Sequence, residues 1–503
     1  ELGIDKDRVF YVLEQRSISD LIAVDLVCEA RGLASPLDAI TLGERTEARR
    51  FCFLNRASHG LFRRPSMATY SRRLVRVLAQ AEADADAVIV PVGVFWSRAP
   101  HRERSLVRGL FSESWAVTSK LKRLVSLVVN RSDIVVHIGQ PLPLAELAQC
   151  APDRVVRRAA RLLRVQFRNQ RLATMGPDLS HRRTLINVVL ASRQVRDAIT
   201  AEQLREPRRG ALPRLERRAR KAALAIASNM SYPTVRVLER VLTWFWNRIY
   251  RGIEVNHLAA VSQIAETHTL VYVPSHRSHL DYLLLSYLLY QNGLMIPHIA
   301  AGDNLDLPVL GNILRRGGAF FMRRKFRDDR IYSAVFSEYL YQVYRKGHGV
   351  EFFPEGGRTR TGRLLPARLG LLNMTIASHE RGLPRPLAMI PVYFGYEKLV
   401  EGGSYLDELR GSGKKRESLG DLVASLRLIR QNFGKVSVNF GRPLPLADWL
   451  GAFEAAGGDA SANGAAALGR ELLVRINDAA AINAVNLVAL VTLGTPRLAM
   501  GER

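Results

Sequence analysis

The sequence predicts an α/β protein: a mixed sheet flanked by helices, preceded by an N-terminal α/β module and a helical middle region. Three observations predict it. From residue 251 onward, short runs rich in β-branched and aromatic residues alternate with helix-like segments. Similar runs occupy 1–150, whereas 151–250 has none and reads as helix. Finally, "VHIGQPLPLAEL" (136–147) matches "VNFGRPLPLADW" (438–449) at seven of twelve positions. The implied organisation is an N-terminal module over 1–150, a helical basic region over 151–250, a larger α/β domain over 251–450 and a helical segment over 451–503.

In chain order, "AVIVPVGVFW" (87–96) and "IVVHIG" (134–139) read as the first good strands. The next region reads as helices, among them 183–201 and 217–229. Between these two, "REPRRGALPRLE" (205–216) carries two prolines, a glycine and many charges, and is expected to be an exposed link. Strands return at 270–274, 319–322, 350–353, 388–394 and 435–441. The Ala-rich end is expected to be helical with a loose link near 456–466.

The repeated stretch has company. Upstream of each copy lies a strand holding Pro-Val, Pro91-Val92 and Pro391-Val392. Pro91 to Gly139 spans 48 residues and Pro391 to Gly441 spans 50. The pattern predicts a duplicated unit, degenerate in its first copy, unless a "G-x-P-L-P-L" strand exit was simply used twice. Nothing near the start of the first copy is read as resembling the chemistry described next, so the first copy is expected to be a scaffold.

That chemistry centres on "PSHRSHLD" (274–281), where a strand gives way to a leucine-rich helix. His276 and Asp281 are five residues apart, about 140° on one continuous helix, so they would not share a face there. In a strand-to-helix turn they can meet, with the carboxylate fixing the imidazole tautomer and leaving its other nitrogen as a base. Equally, Asp281 caps the helix and His276 is an ordinary loop residue. A metal site of His276, His279 and Asp281 is a third reading, though no further ligands cluster nearby; no metal is expected. The leucines after Asp281 read as core, with walling of a ligand as the alternative.

Two more strand ends carry charge. "GGAFFMRRKFRDDR" (317–330) delivers Arg323, Arg324 and Lys325, which suit a phosphate, although strand alternation turns only one of the two arginines to the site. "VEFFPEGGRTRTGRL" (350–364) brings Glu355, then Gly356 and Gly357, then Arg358, Thr359 and Arg360. Paired glycines admit a ligand to the backbone. It is not a Walker loop. Ligands of α/β sheets bind at strand carboxyl ends, so the three loops together suit a small anionic substrate with a hydroxyl to deprotonate. No "G-x-S-x-G" elbow occurs, which favours direct attack by that hydroxyl.

The blocks "VPSHRSHLDYLLLSYLLY", "GAFFMRR", "FPEGGRTRTGRLL" and "MIPVYFGYEK" resemble, in order and spacing, the four blocks of the glycerolipid acyltransferases. Within these, the chain is most similar to the bacterial membrane-associated glycerol-3-phosphate 1-O-acyltransferases, also through "FWSRAPHRE" (95–103), "WNRIYRGIEV" (246–255) and "RINDAAAINAVNL" (475–487). The resemblance implies an acyltransferase-type sheet. It implies transfer of a fatty acyl group from acyl-CoA or acyl carrier protein, as co-substrate and with no cofactor, to the sn-1 hydroxyl of glycerol-3-phosphate. The product would be lysophosphatidic acid, the first step of phospholipid biosynthesis. By position, His276 is then the general base and Asp281 its orienting carboxylate. Arg324, Glu355 and Gly356 contact the acceptor, and Pro391 belongs to acyl-donor binding. Lysophosphatidate or dihydroxyacetone phosphate is the alternative acceptor. Pro354 and Thr359 (where serine is common) are small departures from the pattern.

Composition fits an anionic partner: the formal net charge is +26 over 503 residues. In "DRVVRRAARLLRVQFRNQR" (153–171), Arg154, Arg157, Arg158, Arg161, Arg164, Arg168 and Arg171 recur at spacings of three and four, with apolar residues opposite. Two readings fit this basic amphipathic helix: a membrane-facing helix on an anionic phospholipid surface, or a solvated face on a helix packed on its own domain. No helix-turn-helix, zinc or RNA-binding signature accompanies the charge, so nucleic acid is not an expected partner. The best apolar stretch, Ala479–Leu493, is broken by Asn483 and Asn486 and falls short of the roughly 20 residues needed to span. No signal peptide is read. The three cysteines, Cys28, Cys52 and Cys150, are expected to be reduced. Together these predict a peripheral protein on the cytoplasmic face of a bacterial inner membrane. The chain opens on glutamate and the resemblance runs to residue 503, so native residues are expected beyond both ends.

Overall fold

The computed structural model describes residues 6–54, 71–80, 84, 86–95, 134–148, 152–177, 182–205, 210–323, 328–410 and 431–495. The chain forms two compact units, 1–175 and 176–503. The first holds β1 (Val9–Leu13), α1 (Ile18–Arg31), β2 (Ile40–Leu42), β3 (Arg45–Glu47), β4 (Phe51–Phe53), α2 (Arg72–Leu78), β5 (Val88–Phe95), β6 (Val135–Ile138), β7 (Leu142–Pro143), α3 (Leu144–Ala148) and α4 (Pro152–Met175). Its main sheet runs β4-β1-β5-β6, with β7 also on β5.

The arginine-rich helix α4 packs here, through Val155, Ala159, Leu163 and Phe167. The expected helical region over 151–250 is therefore not one module: its first helix completes the core of the N-terminal unit. Arg154, Arg157, Arg158, Arg161 and Arg168 are exposed, whereas Arg164 and Arg171 are half-buried. Arg171 pairs with Glu14 at 2.8 Å. Cys28 and Cys52 are buried free thiols.

The second unit opens with four helices, α5 (Arg182–Ala191), α6 (Arg193–Arg205), α7 (Ala211–Ile226) and α8 (Tyr232–Ile249). The expected single helix over 183–201 is broken at Ser192, whose Oγ accepts from the amide of Val195. The expected link over 205–216 is shorter, because α7 starts at Ala211 and takes Pro213 into its first turn, where a missing N–H costs nothing. Then follow β8 (Gly252–Asn256), α9 (Leu258–Ala265), β9 (Thr269–Pro274), α10 (Asp281–Gln291), β10 (His298–Gly302), α11 (Leu310–Arg316), β11 (Ala319–Met322), α12 (Arg330–Arg345), β12 (Val350–Glu351), α13 (Leu369–Glu380), β13 (Leu387–Tyr396), α14 (Gly402–Leu409), β14 (Lys435–Phe440), β15 (Leu444–Pro445), α15 (Leu446–Ala455), α16 (Ala465–Asp478) and α17 (Ala484–Gly494). The sheet order is β11-β10-β12-β9-β13-β14-β8, with β15 on β13. The main core joins strand residues Val271, Val273, Phe320 and Met389 to α12 (Val335, Phe336, Tyr339) and α16 (Leu468, Leu472). The strands β8 and β10, short and poor in β-branched residues, escaped the sequence pattern.

The two sheets repeat one pattern. In the first unit β5 lies parallel to β1, with Val12 beside Pro91, and antiparallel to β6, with Val92 opposite Ile138. In the second, β13 lies parallel to β9, with Val273 beside Pro391, and antiparallel to β14, with Val392 opposite Phe440. The amide of Gly139 donates to Pro91 O at 2.8 Å, and that of Gly441 to Pro391 O at 2.8 Å. Each proline sits where the partner changes, from β6 to β7 or from β14 to β15, so its missing N–H leaves no gap in the ladder.

The register extends the match to the catalytic-type turn. With Val12 at the place of Val273, Gln15 falls at His276, and Arg16, Ser17 and Asp20 fall at Arg277, Ser278 and Asp281. The expectation that nothing near the start of the first copy resembles this turn is thus corrected. "LEQRSISD" keeps only arginine, serine and aspartate of "PSHRSHLD", too few to see without the strand register. Its geometry has changed as well. Ser17 caps α1, accepting from the amide of Asp20 at 3.2 Å and donating to Asp20 Oδ1 at 2.8 Å. The aspartate that meets a histidine in one unit serves a helix cap in the other. Ser17→Ala should lower the stability of the N-terminal unit by about 1 kcal/mol, read by urea unfolding of the whole chain; an unchanged transition would deny the cap this role.

Candidate active site

Three neighbouring strands, β12, β9 and β13, end side by side and deliver three loops to one place. The loop after β9 holds His276. The loop after β12 holds Glu355 to Arg360. The loop after β13 holds Glu401 and leads to Tyr405 in α14.

His276 and Asp281 meet: Nδ1 lies 3.1 Å from Asp281 Oδ2. The same oxygen accepts the amides of Arg277 (2.7 Å) and Ser278 (2.9 Å). Oδ1 accepts the Tyr396 hydroxyl at 2.7 Å. Asp281 has no solvent exposure. It therefore shapes the turn and orients the imidazole, but it does not cap α10, whose N-cap is Leu280 with no side-chain bond to the helix. The ring stacks on Phe353 with centroids 3.9 Å apart. Burial, the largest influence, pushes the His276 pKa below its ordinary value; the bond to Asp281 and its charge pull it back up, while His279 and Arg358 push it down. The imidazole is neutral at pH 7, with Nδ1 engaged and Nε2 available. Among the described residues, no group of three or more His, Cys, Asp or Glu is placed to hold a metal ion.

The other loops brace this turn. Glu355 Oε1 accepts the His276 amide at 2.8 Å and Oε2 accepts the Leu365 amide at 2.7 Å. The Thr359 amide donates to His276 O at 3.0 Å. Glu401 takes the Ser278 hydroxyl at 2.8 Å and the His279 amide at 2.8 Å. Arg358 donates to the Tyr405 hydroxyl at 3.0 Å and Arg360 to Glu408 at 2.9 Å. Gly356 has φ +64, and a Cβ there would run into the Arg368 side chain, so only glycine fits.

A cavity of about 880 Å³ opens beside the imidazole. Its polar lining includes His276, His279, Gly356, Gly357, Arg358, Arg360 and Arg368, together with Glu239, Asn304 and Asp328. Its apolar lining comes from α8 (Val235, Leu238, Leu242), α10 and the strands β10 and β11. On α10, Tyr282, Leu283, Ser286, Tyr287 and Tyr290 face the cavity, while Leu284, Leu285 and Leu289 are fully buried. The leucine run thus serves the core, and the neighbouring stripe walls the cavity.

Residues 1–176 match the family described as the glycerol-3-phosphate acyltransferase PlsB N-terminal domain, 253–395 the acyltransferase family and 405–503 the glycerol-3-phosphate acyltransferase C-terminal region. The glycerol-3-phosphate acyltransferase of Ectopseudomonas mendocina is 45% identical over 520 residues, and that of Pseudomonas putida 45% over 518. The chain belongs to the glycerol-3-phosphate acyltransferase family. These alignments take in 100% of this chain and 62% of each relative, so the chain spans under two thirds of their length. A solved structure, the 1-acyl-sn-glycerophosphate (LPA) acyltransferase PlsC from Thermotoga maritima, is 16% identical with a TM-score of 0.30, over 49% of this chain and 77% of that one.

Within the acyltransferase region, the structure sorts the residues singled out in the sequence. His276, Gly356, Gly357, Arg358 and Arg360 line the cavity. Glu355 does not serve as an open ligand: it is 2% exposed and both oxygens staple backbone amides. Thr359 is buried and holds the loop through its amide. Pro391 is a buried strand residue between the β14 and β15 pairings, outside the cavity lining. Arg323 turns to Asp329 (3.3 Å) and the Tyr332 ring, as alternation allows for one of the pair. Arg324 and Lys325 lie outside the described residues. Tyr396, Glu401, Tyr405 and Arg368 were missed; only Tyr396 carried a signal, inside "MIPVYFGYEK".

Two measurements test this geometry. Titrated by NMR, His276 should show a pKa below about 6.5, and Asp281→Asn should lower it further, because the carboxylate is what holds it up; a rise would mean the pair is not formed. Tyr396→Phe should cost about 1.5–3 kcal/mol of stability, the range for a bond to a charged group, read by denaturant unfolding.

Proposed function

We propose that the chain transfers a fatty acyl group from an acyl thioester, acyl-CoA or acyl carrier protein, to the sn-1 hydroxyl of glycerol-3-phosphate. The observation that carries this is a carboxylate-held histidine lining a cavity of about 880 Å³ to which Arg358, Arg360 and Arg368 and many apolar side chains contribute. Arg358, Arg360 and Arg368 suit the acceptor phosphate, which guanidinium groups grip in pairs. The apolar cavity suits the acyl chain. His276 Nε2 takes the hydroxyl proton as the oxygen attacks the thioester carbon. The carbon–sulfur bond then breaks, and the proton passes from His276 to the leaving thiolate. Asp281 steadies the imidazolium that forms between these steps. The product is lysophosphatidic acid, the entry to phospholipid synthesis, and no cofactor is required.

We further infer a peripheral location on the cytoplasmic face of the bacterial inner membrane. The net charge of +26 and the exposed arginines of α4 support attraction to anionic phospholipid, each arginine near the surface contributing about 1 kcal/mol. Among the described residues no helix is long and apolar enough to cross a membrane.

Thiol release from palmitoyl-CoA, assayed in anionic phospholipid, should require glycerol-3-phosphate and yield lysophosphatidic acid. It should fall by about 10²–10⁴ in His276→Ala, as for a lost general base. Its acid limb should have an apparent pKa under about 6.5, since burial disfavours the charged imidazole. Release that depends instead on lysophosphatidate would replace the acceptor; full activity in His276→Ala would remove the base.

A further inference from the structure

The cavity is walled on one side by α8 and α11, which pack against each other. Inward, α8 offers Val235, Leu238 and Leu242, and α11 offers Leu314. The outer faces of both helices also carry exposed large apolar residues between their polar ones, which a soluble surface does not call for. On α8, Val237 is 61% exposed, Val241 53% and Trp244 58%. They recur at spacings of four and three, so they form one stripe along the helix. Beside α11, Val309 is 71% exposed and Ile313 40%. Val309 has φ +69, a conformation that branched residues rarely adopt. Arg240, Arg248 and Arg316, all exposed, rim the patch.

We propose that the outer face of α8 and α11 docks into an anionic phospholipid leaflet, so that the acyl cavity lies directly against the lipid. This rests on the membrane location argued above and names the surface responsible. Exposed valines and a tryptophan among arginines are the composition of an interfacial helix, the apolar stripe entering the acyl boundary and the guanidinium groups staying with the phosphates. The arginine face of α4 differs: Val165 is its sole strongly exposed large apolar residue among the described ones, so α4 can attract a leaflet without entering it. Placement of α8 also fits the chemistry. An acyl chain and a lysophospholipid product both prefer lipid to water, and a cavity whose wall is the docking face gives them a short path.

Flotation with vesicles of phosphatidylcholine and phosphatidylglycerol tests this. The double variant Val237→Glu, Trp244→Glu should bind at least about 10-fold less than the unaltered chain, because acidic groups oppose both the apolar and the anionic layer. In detergent with a short-chain acyl-CoA, both proteins should turn over equally, since neither residue lines the cavity. Equal flotation of variant and parent would overturn the proposal, and loss in Leu490→Glu instead would move the contact to the exposed apolar helix α17. A change from dimer to monomer in the variant, seen by sedimentation without lipid, would make this face a protein interface and also overturn it. Absence of transfer by both proteins in detergent would sink the proposed reaction while leaving the vesicle comparison to be judged on its own.

Discussion

The Asp281 carboxylate is the constraint on which the site depends. A carboxylate with no solvent exposure is costly unless its lone pairs are used. Here they are used by two consecutive amides, an imidazole and a phenol. Those partners come from the turn after β9 and from the end of β13. One buried charge therefore fixes the turn, the ring orientation and the seating of Tyr396 at once. Taking away one hydrogen bond to such a buried charge generally costs about 1.5–3 kcal/mol, so the geometry is held by the same groups that make it useful. Glu355 and Glu401 act in the same sense. Each accepts backbone amides of this turn, so the loops after β12 and β13 clamp the one after β9.

The comparison of the two units shows what such a turn loses when the histidine is absent. In the first unit Gln15 stands at the imidazole's place, and Asp20 closes a capping pair with Ser17. Helix α1 starts at Ile18, at the register position of His279, so two residues that stay in the loop in one unit are wound into helix in the other. A capping pair satisfies the carboxylate locally and needs no second strand. The first unit thus keeps the strand order around β5 and the Pro-to-Gly contact while giving up the open turn. The trace of the turn in the first unit is fuller than the sequence shows by eye.

How much was legible follows from what each signal depends on. The strands that carry the site were readable because they are buried on both faces and so run continuously apolar, as in "LVYVP" and "AMIPVYF". His276 and Asp281 were readable as a pair only under the assumption of a turn, which the register of β9 and the start of α10 supply. The orientations of Glu355 and Pro391 were not legible for a common reason. A sequence shows that a polar or special residue lies near a site but not which way it faces: Glu355 turns to backbone amides, and Pro391 lies within the β13 ladder. Glu401 and Arg368 had no signal, since each reaches the site from another loop through tertiary packing. The basic helix α4 was visible as amphipathic, but periodicity cannot say which unit its apolar side joins.

The same limit bears on where lipid meets the protein. Charge is conspicuous in a sequence, so the arginines of α4 draw attention first. Long-range attraction, however, falls off within a Debye length of about 8–10 Å and is weakened by salt. Retention at a leaflet needs apolar area as well, and that area is recognisable only once burial is known. On α8 an apolar stripe lies exposed among arginines, and periodicity alone would turn that stripe to a core. Burial divides it: Val235 is 4% exposed and lines the cavity, while Val237, two residues on, is 61% exposed. A helix that leaves valines and a tryptophan exposed among its arginines has an unmet demand for a nonpolar neighbour. Because its covered half already faces a cavity suited to an acyl chain, the surroundings that satisfy the exposed half most economically are those from which such a chain would come.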